Sequence, residues 1–314
     1  MQRRFSTPLL LAFASALITG GLPPAARAQA PAVAAATTPS SVLAGSSDAD
    51  WTAYKAQDLL VIDLAQGGRV VIALADAFAP IHVGNIRRLA RAHWYDGLVI
   101  ERVQDNYVVQ WGDADGKKPL PADVDHPAPA EYDRPAAGLV FHALPYRDTY
   151  AGQVGSVDGM PVAQDGGRAW LVHCYGMVGV GRDLAPDTGT GAELYAVIGQ
   201  PPRALDRNIA VVGRVLSGME VLAALPRGTA ELGFYADPAQ RLPIRQVRLA
   251  SDLPAAERPR FERLREGAAS LAAWTQARAN RKDTFFVRPA QALDICNAEP
   301  PVRPSKSTSE SGVH

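Results

Sequence analysis

Short, strongly apolar runs alternate with Gly- and Pro-marked turns over most of the chain. Residues 59–75, LLVIDLAQGGRVVIALA, form two β-branched runs around Gln66-Gly67-Gly68 and predict a hairpin. Val83, Ile86 and Leu89 or Ala90 then recur at helical spacing, with Arg87, Arg88 and Arg91 on other faces. Pro80 suits the first turn of that helix, and Gly97 ends the segment. LVIERV and NYVVQW follow as two strands around a polar turn. From 113 to 148 the text turns to Pro, Asp and Lys, which predicts a long loop crossed by a short strand at 138–144. Residues 166–182, 193–199 and 209–215 read as further strands, 217–226 as a short helix, and 244–253 as a closing strand. Many short strands with only two helices predict a mainly β fold, a barrel or a sandwich, and not a βαβ enzyme.

The two ends read differently. In 254–283, Phe261, Leu264, Ala268, Leu271 and Trp274 recur at helical spacing, so 254–314 is expected to be a helical extension packed on the β domain. Within it, 285–297 is a candidate extended segment, and the polar tail after Pro300 is expected to be loose. At the start, Arg3 and Arg4 precede an apolar run over 8–19, and Ala26-Arg27-Ala28 offers a small-residue cleavage site, with Ala28-Gln29-Ala30 as its alternative. That pattern predicts a secretory signal peptide over 1–28. Its apolar run is short for a bilayer span, so no stable membrane insertion is expected. The Ala/Ser/Pro/Thr-rich stretch 29–50 predicts a disordered linker, with order beginning at Trp51 and a folded domain over 51–253. An exported, periplasmic protein is the expectation.

Composition changes this picture little. The 314 residues are 47% hydrophobic and 20% charged, with zero formal net charge. Nothing in that balance points to nucleic acid, which usually needs a basic excess. In an oxidising compartment Cys174 and Cys296 either pair or remain two separate buried thiols. The histidines His82, His93, His126, His142 and His173 lack metal-ligand spacing, so no metal site is expected. Ser156 lacks the G-x-S-x-G elbow of serine hydrolases, and the Gly-rich VGVGRD and TGTGAE do not follow a strand–helix pattern for nucleotides.

The informative stretch is ERVQDNYVVQWGD, residues 101–113, which carries Arg102 and Gln110 where a plain core would take aliphatics. With the runs RVVIALADAFAPIHVGNIRRLA before it and ELYAVIGQPPRALDRNIAVVGRVLSGMEVLAAL after it, the chain resembles the cyclophilins, β-barrel peptidyl-prolyl cis–trans isomerases. The likeness runs from about residue 59 to 252, with an expanded middle at 114–170. It implies a closed antiparallel barrel with two flanking helices. It also implies Arg102 as the catalytic arginine and Gln110 as the amide that positions it. Tyr107, Val108, Tyr195 and Leu205 fall at proline-pocket positions, and Gly181 and Arg182 at substrate-backbone positions. Glu193 replaces a family glutamine and is a candidate salt-bridge partner of Arg102. Ala204 stands where a tryptophan is common, Ile209 at about a histidine, and Glu101 where a His or neutral residue precedes the arginine.

The chemistry agrees with these residue types. Rotation about an X–Pro bond must break amide resonance, a barrier of about 18–20 kcal/mol. No covalent bond is made, so no cofactor, nucleophile or metal is called for. An apolar slot for the ring and a fixed cation for the twisted imide suffice. Arginine suits because it stays charged when half-buried and its planar fork can be held by a neighbouring amide. The expected partners are proline-containing segments of exported proteins. Glu193, Ala204 and Arg182 also motivate an alternative, a module that binds such segments without turning them over.

Overall fold

The computed structural model describes residues 37–306. The predicted signal peptide and the first part of the predicted linker lie outside the described residues. In chain order come helix α1 (Pro39–Ala44), strands β1 (Trp51–Ala53), β2 (Leu59–Leu64) and β3 (Arg69–Leu74), and helix α2 (Pro80–Arg91). Strands β4 (Val99–Val103) and β5 (Val108–Gly112) follow. The middle then contributes β6 (Arg134–Pro135), β7 (His142–Ala143), β8 (Gln153–Val157), β9 (Met160–Asp165) and β10 (Arg168–Leu171). Next come β11 (Met177–Val180), β12 (Leu194–Val197), β13 (Val211–Ser217), helix α3 (Met219–Ala223) and β14 (Leu242–Leu249). The C-terminal part holds β15 (Phe261–Leu264), helix α4 (Ala269–Ala279) and β16 (Val302–Pro304).

Eight of these strands close an antiparallel barrel in the order β11-β12-β5-β4-β14-β2-β3-β13. The predicted hairpin is β2–β3, which pairs Leu60 with Ile72 and Ile62 with Val70. Its runs are apolar at nearly every position because both faces are buried. Leu60, Ile62, Val70 and Ile72 fill the barrel, while Leu59, Val61, Val71 and Ala73 point outward into a second core. That outer core belongs to a five-stranded sheet, β6-β10-β9-β8-β7, which supplies Val154, Val162 and Trp170. The loop predicted over 113–148 is irregular apart from β6 and β7, and β7 falls within the short strand expected at 138–144; β8 and β9, over 153–165, are strands the sequence reading did not assign.

Helix α2 buries Val83, Ile86 and Leu89 against the barrel. Its first residue is Pro80, and no side chain caps it locally. Glu131, far along the chain, accepts from the free N–H groups of Ile81 (3.0 Å) and His82 (2.9 Å) and contacts His82 Nδ1 at 2.7 Å. A carboxylate at that end satisfies orphan donors and complements the helix dipole.

The ends depart furthest from expectation. Within the stretch predicted as linker, Thr38 and Ser41 form a reciprocal capping box and Pro39 opens α1, so local chemistry orders it. Phe261 and Leu264 carry helical spacing but lie at the two ends of β15, which pairs with β1 and β16. Among the described residues of the predicted helical extension, only 269–279 is α-helix. The tail is held through residue 304 by β16, with Arg303 paired to Glu262 (2.5 Å) and Asp48 (3.1 Å) and stacked on Trp51. Cys174 and Cys296 are joined in a disulfide that ties this region to the residues leading into β11.

Candidate active site

Across the barrel from the covered β2–β3 wall, β5 and β12 send Val109, Trp111, Leu194 and Ala196 inward. Val108, Gln110 and Tyr195 therefore point outward by the period-two alternation of strands. Here no second sheet covers them, and they line an open cavity of about 750 Å³. All nine residues singled out from the sequence line this one cavity: Arg102, Tyr107, Val108, Gln110, Gly181, Arg182, Glu193, Tyr195 and Leu205. Ile209 joins them, and Ala204 is exposed outside the lining.

Arg102 is fixed at each of its three nitrogens. Nε donates to the Leu232 carbonyl (2.6 Å), Nη1 to Gln110 Oε1 (3.1 Å), and Nη2 to Gln104 Oε1. The guanidinium carbon lies over the rings of Tyr107 and Phe234, 5.7 and 5.4 Å from their centroids. Burial draws its proton affinity down, yet an arginine keeps its charge at any physiological pH. The guanidinium still has N–H groups beyond the three engaged ones, free for a ligand in the cavity.

Leu232 and Phe234 were not visible as site residues in the sequence. They arrive on a segment that lies along β4, where Phe234 pairs with Arg102 and Tyr235 N donates to the Glu101 carbonyl (3.0 Å). Leu232 adopts φ +56°, a left-handed conformation that costs a bulky residue about 1 kcal/mol. That strain turns its carbonyl onto Arg102. The only sequence signal was the neighbouring Gly233, whose φ is +80°.

Gln110 holds Arg102 with its oxygen and donates from Nε2 to Glu193 Oε2 at 2.9 Å. The expected Glu193–Arg102 salt bridge is absent among the described residues, because the amide stands between the two charges. Arg182 likewise binds carbonyls: Nη2 donates to Asn208 (2.9 Å) and Nη1 to Asp183 (2.6 Å).

Tyr195 closes the cavity floor with its hydroxyl turned inward to His173 Nε2 (2.9 Å). His173 Nδ1 faces Asp206 Oδ1 (3.0 Å), and Asp206 accepts from Arg203 Nε (2.7 Å). His173 is thus tied into a buried hydrogen-bonded chain with Tyr195, Asp206 and Arg203. The tyrosine fits because the facing residue is Gly179, where a Cβ would fall 2.2 Å from the hydroxyl oxygen.

The strand β4 is irregular at the site. Ile100 pairs with Trp111 and Arg102 with Gln110, so Glu101 is an extra, bulged residue. A bulge re-aims side chains that a regular strand would send to opposite faces. Both Glu101 and Arg102 line the cavity as a result.

Comparison with known proteins adds four findings. The family model described as "Cyclophilin type peptidyl-prolyl cis-trans isomerase/CLD" matches residues 59–249, well over half the chain. Among solved structures, cyclophilin AquaCyp293 from Hirschia baltica aligns with a TM-score of 0.64 at 22% identity, covering 86% of this chain and 99% of that one. A cyclophilin type peptidyl-prolyl cis-trans isomerase from Cryptosporidium parvum, solved in the presence of the dipeptide Ala-Pro, aligns at 12% identity with a TM-score of 0.39, covering 61% and 98%. No curated protein sequence matches the chain. At this identity the AquaCyp293 likeness speaks for the fold, and its extent takes in residues outside the family match. The chain belongs to the cyclophilin-type peptidyl-prolyl cis–trans isomerases.

Proposed function

We propose that this isomerase acts on proline-containing segments of exported proteins during their folding, with Arg102 stabilising the twisted imide. One observation carries the mechanism: a guanidinium fixed at three points beside the apolar surface of Val108, Tyr195, Leu205 and Phe234. As the X–Pro bond rotates, the nitrogen lone pair leaves the carbonyl and localises. A cation already in place meets that charge without reorganising, in a cavity wall of low dielectric. Gln110, Gln104 and the Leu232 carbonyl are the positioning groups. The leader-like N-terminus supports export, and the Cys174–Cys296 bridge fits an oxidising compartment.

The test is isomerisation of a proline tetrapeptide by the pure protein and by Arg102→Ala. Removal of a preorganised charge is expected to lower kcat/KM by about a hundredfold or more. The thermal unfolding transition should persist, since the side chain is outside both cores. Undiminished turnover by the folded variant would remove Arg102 from the mechanism.

A further inference from the structure

Part of the cavity wall is acidic. Glu101, Glu193, Asp183 and Asp187 all line it. Asp187 is occupied by its own loop, accepting from the N–H groups of Asp183 (2.7 Å) and Gly189 (3.1 Å). Glu193 accepts from Gln110 through one oxygen. It fits between Gly112 and Gly181, where added Cβ atoms would lie 2.6 and 2.8 Å from its side chain. Glu101 differs from all of these. It is 5% exposed, and among the described residues its carboxyl has no hydrogen bond and no ion pair.

A buried carboxylate without a partner is costly, and a second carboxylate nearby makes it more so. Nearby cations relieve it only in part: Arg241 and Arg102 favour its charged form from a distance, and neither forms an ion pair with it. Arg102 is committed at each nitrogen, Arg182 binds carbonyls, and Arg241 pairs with Asp115 at 3.1 Å. Burial first, then Glu193, pushes the Glu101 carboxyl up to about 7. Among the described residues no three His, Cys, Asp or Glu groups are placed to hold a metal ion. A single cation on a flexible stem would pair with this carboxyl.

We infer that this acidic wall is a specificity subsite for a lysine or arginine side chain of the proline-containing segment, with Glu101 as its principal contact. The inference rests on the proposed reading of the same cavity as the proline site. A basic residue close in sequence to the proline places its charge beside Glu101 and Glu193 while the ring occupies the apolar surface. It supplies the missing partner and displaces the proton that Glu101 otherwise retains. Substrates would be ranked by charge next to the proline, and an acidic residue at the same position would be rejected by the like-charged wall.

The experiment measures kcat/KM for proline peptides with lysine placed in turn at each of the positions flanking the proline, against the all-alanine parent. Wild type should prefer lysine at one or two positions by about tenfold, the value of one charge-assisted contact. Glutamate there should be worse than alanine. In Glu101→Gln the lysine-to-alanine ratio should fall towards one. A wild type indifferent to lysine at every position would overturn the inference, as would a preference that survives Glu101→Gln unchanged.

Should that variant fail to fold, the wild-type ratio across pH decides. Glu101 is faced by Glu193 just before β12, Asp113 beyond β5, Arg241 before β14 and its neighbour Arg102. It must lose its proton to bind a cation, so the lysine preference should shrink as pH falls from 8 to 6. A preference flat over that range overturns the proposal. If no peptide is isomerised at all, it is the catalytic reading that fails, and the binding affinities of lysine and alanine peptides then decide the subsite.

Discussion

Glu101 and Arg102 are adjacent in the chain, line the same cavity, and are treated in opposite ways. Arg102 is surrounded by acceptors, with a carbonyl, two amide oxygens and two aromatic faces holding it. Glu101 is more deeply buried and, among the described residues, has no hydrogen bond or ion pair, only the distant charges of Arg241 and Arg102. A charge whose partners are all internal is an instrument, held still so that it acts on whatever enters. A charge left without partners is an unfilled position. The bulge in β4 puts the two side by side, and the amide of Gln110 links Arg102 to Glu193.

Breaking the Arg102 end should produce the largest effect. Arg102→Ala is expected to cost about a hundredfold in kcat/KM. Arg102→Lys separates charge from fixation. An ammonium keeps the charge but cannot span Leu232, Gln110 and Gln104 at once, and it lacks the planar fork. Retained binding with kcat lower by about tenfold would show that fixation contributes beyond charge. If the lysine variant equals wild type, the three-point hold is incidental.

What the sequence made legible follows from how many constraints each element satisfied locally. The β2–β3 hairpin and α2 announce themselves because periodicity, turn residues and Pro80 all agree. The second sheet was hidden in weak runs broken by Gly and Asp, yet a signal for it existed. A hairpin with one face in water alternates, whereas LLVIDL and RVVIAL do not, so something had to cover them. Phe261 and Leu264 misled because their spacing fits a helix, while their pairing partners lie on β1 and β16, distant in the chain. Within the site, the residues on β5 and β12 could be placed by alternation. Glu101 could not, since the bulge breaks the alternation that would have sent it away from the cavity. Leu232 and Phe234 depend on a long-range approach that no local pattern encodes.

A smaller effect tests how the cavity floor is built. Tyr195→Phe keeps the ring and removes the hydroxyl, leaving His173 Nε2 buried without a partner. With Nδ1 committed to Asp206, that nitrogen cannot be satisfied elsewhere. The expected cost is about 1–2 kcal/mol in unfolding free energy, with little change in kcat, because the hydroxyl faces away from the open cavity. A fall in kcat without a fall in stability would place the hydroxyl in the chemistry instead.

An effect no larger than that sharpens the comparison most, because it reads the unpaired charge directly. The Glu101 carboxyl is pushed up to about 7 in the folded chain from an ordinary 4.5, by burial and then by Glu193. Between those values the folded chain holds a proton that the unfolded chain has released, so this group makes stability fall as pH rises. Glu101→Gln removes the dependence. The variant should match wild type near pH 4, where both side chains are neutral, and exceed it at pH 8 by on the order of 1–2 kcal/mol after solvent screening at the cavity mouth. Burial also raises the Glu193 carboxyl, so relief of its repulsion with Glu101 contributes part of that gain. Thermal unfolding at both pH values decides the point. A gap that opens with pH marks a site kept at the expense of stability, as expected of a residue retained for a ligand. An equal gap at pH 4 and pH 8 would mean that Glu101 carries no uncompensated charge, and the contrast with Arg102 would be one of packing alone.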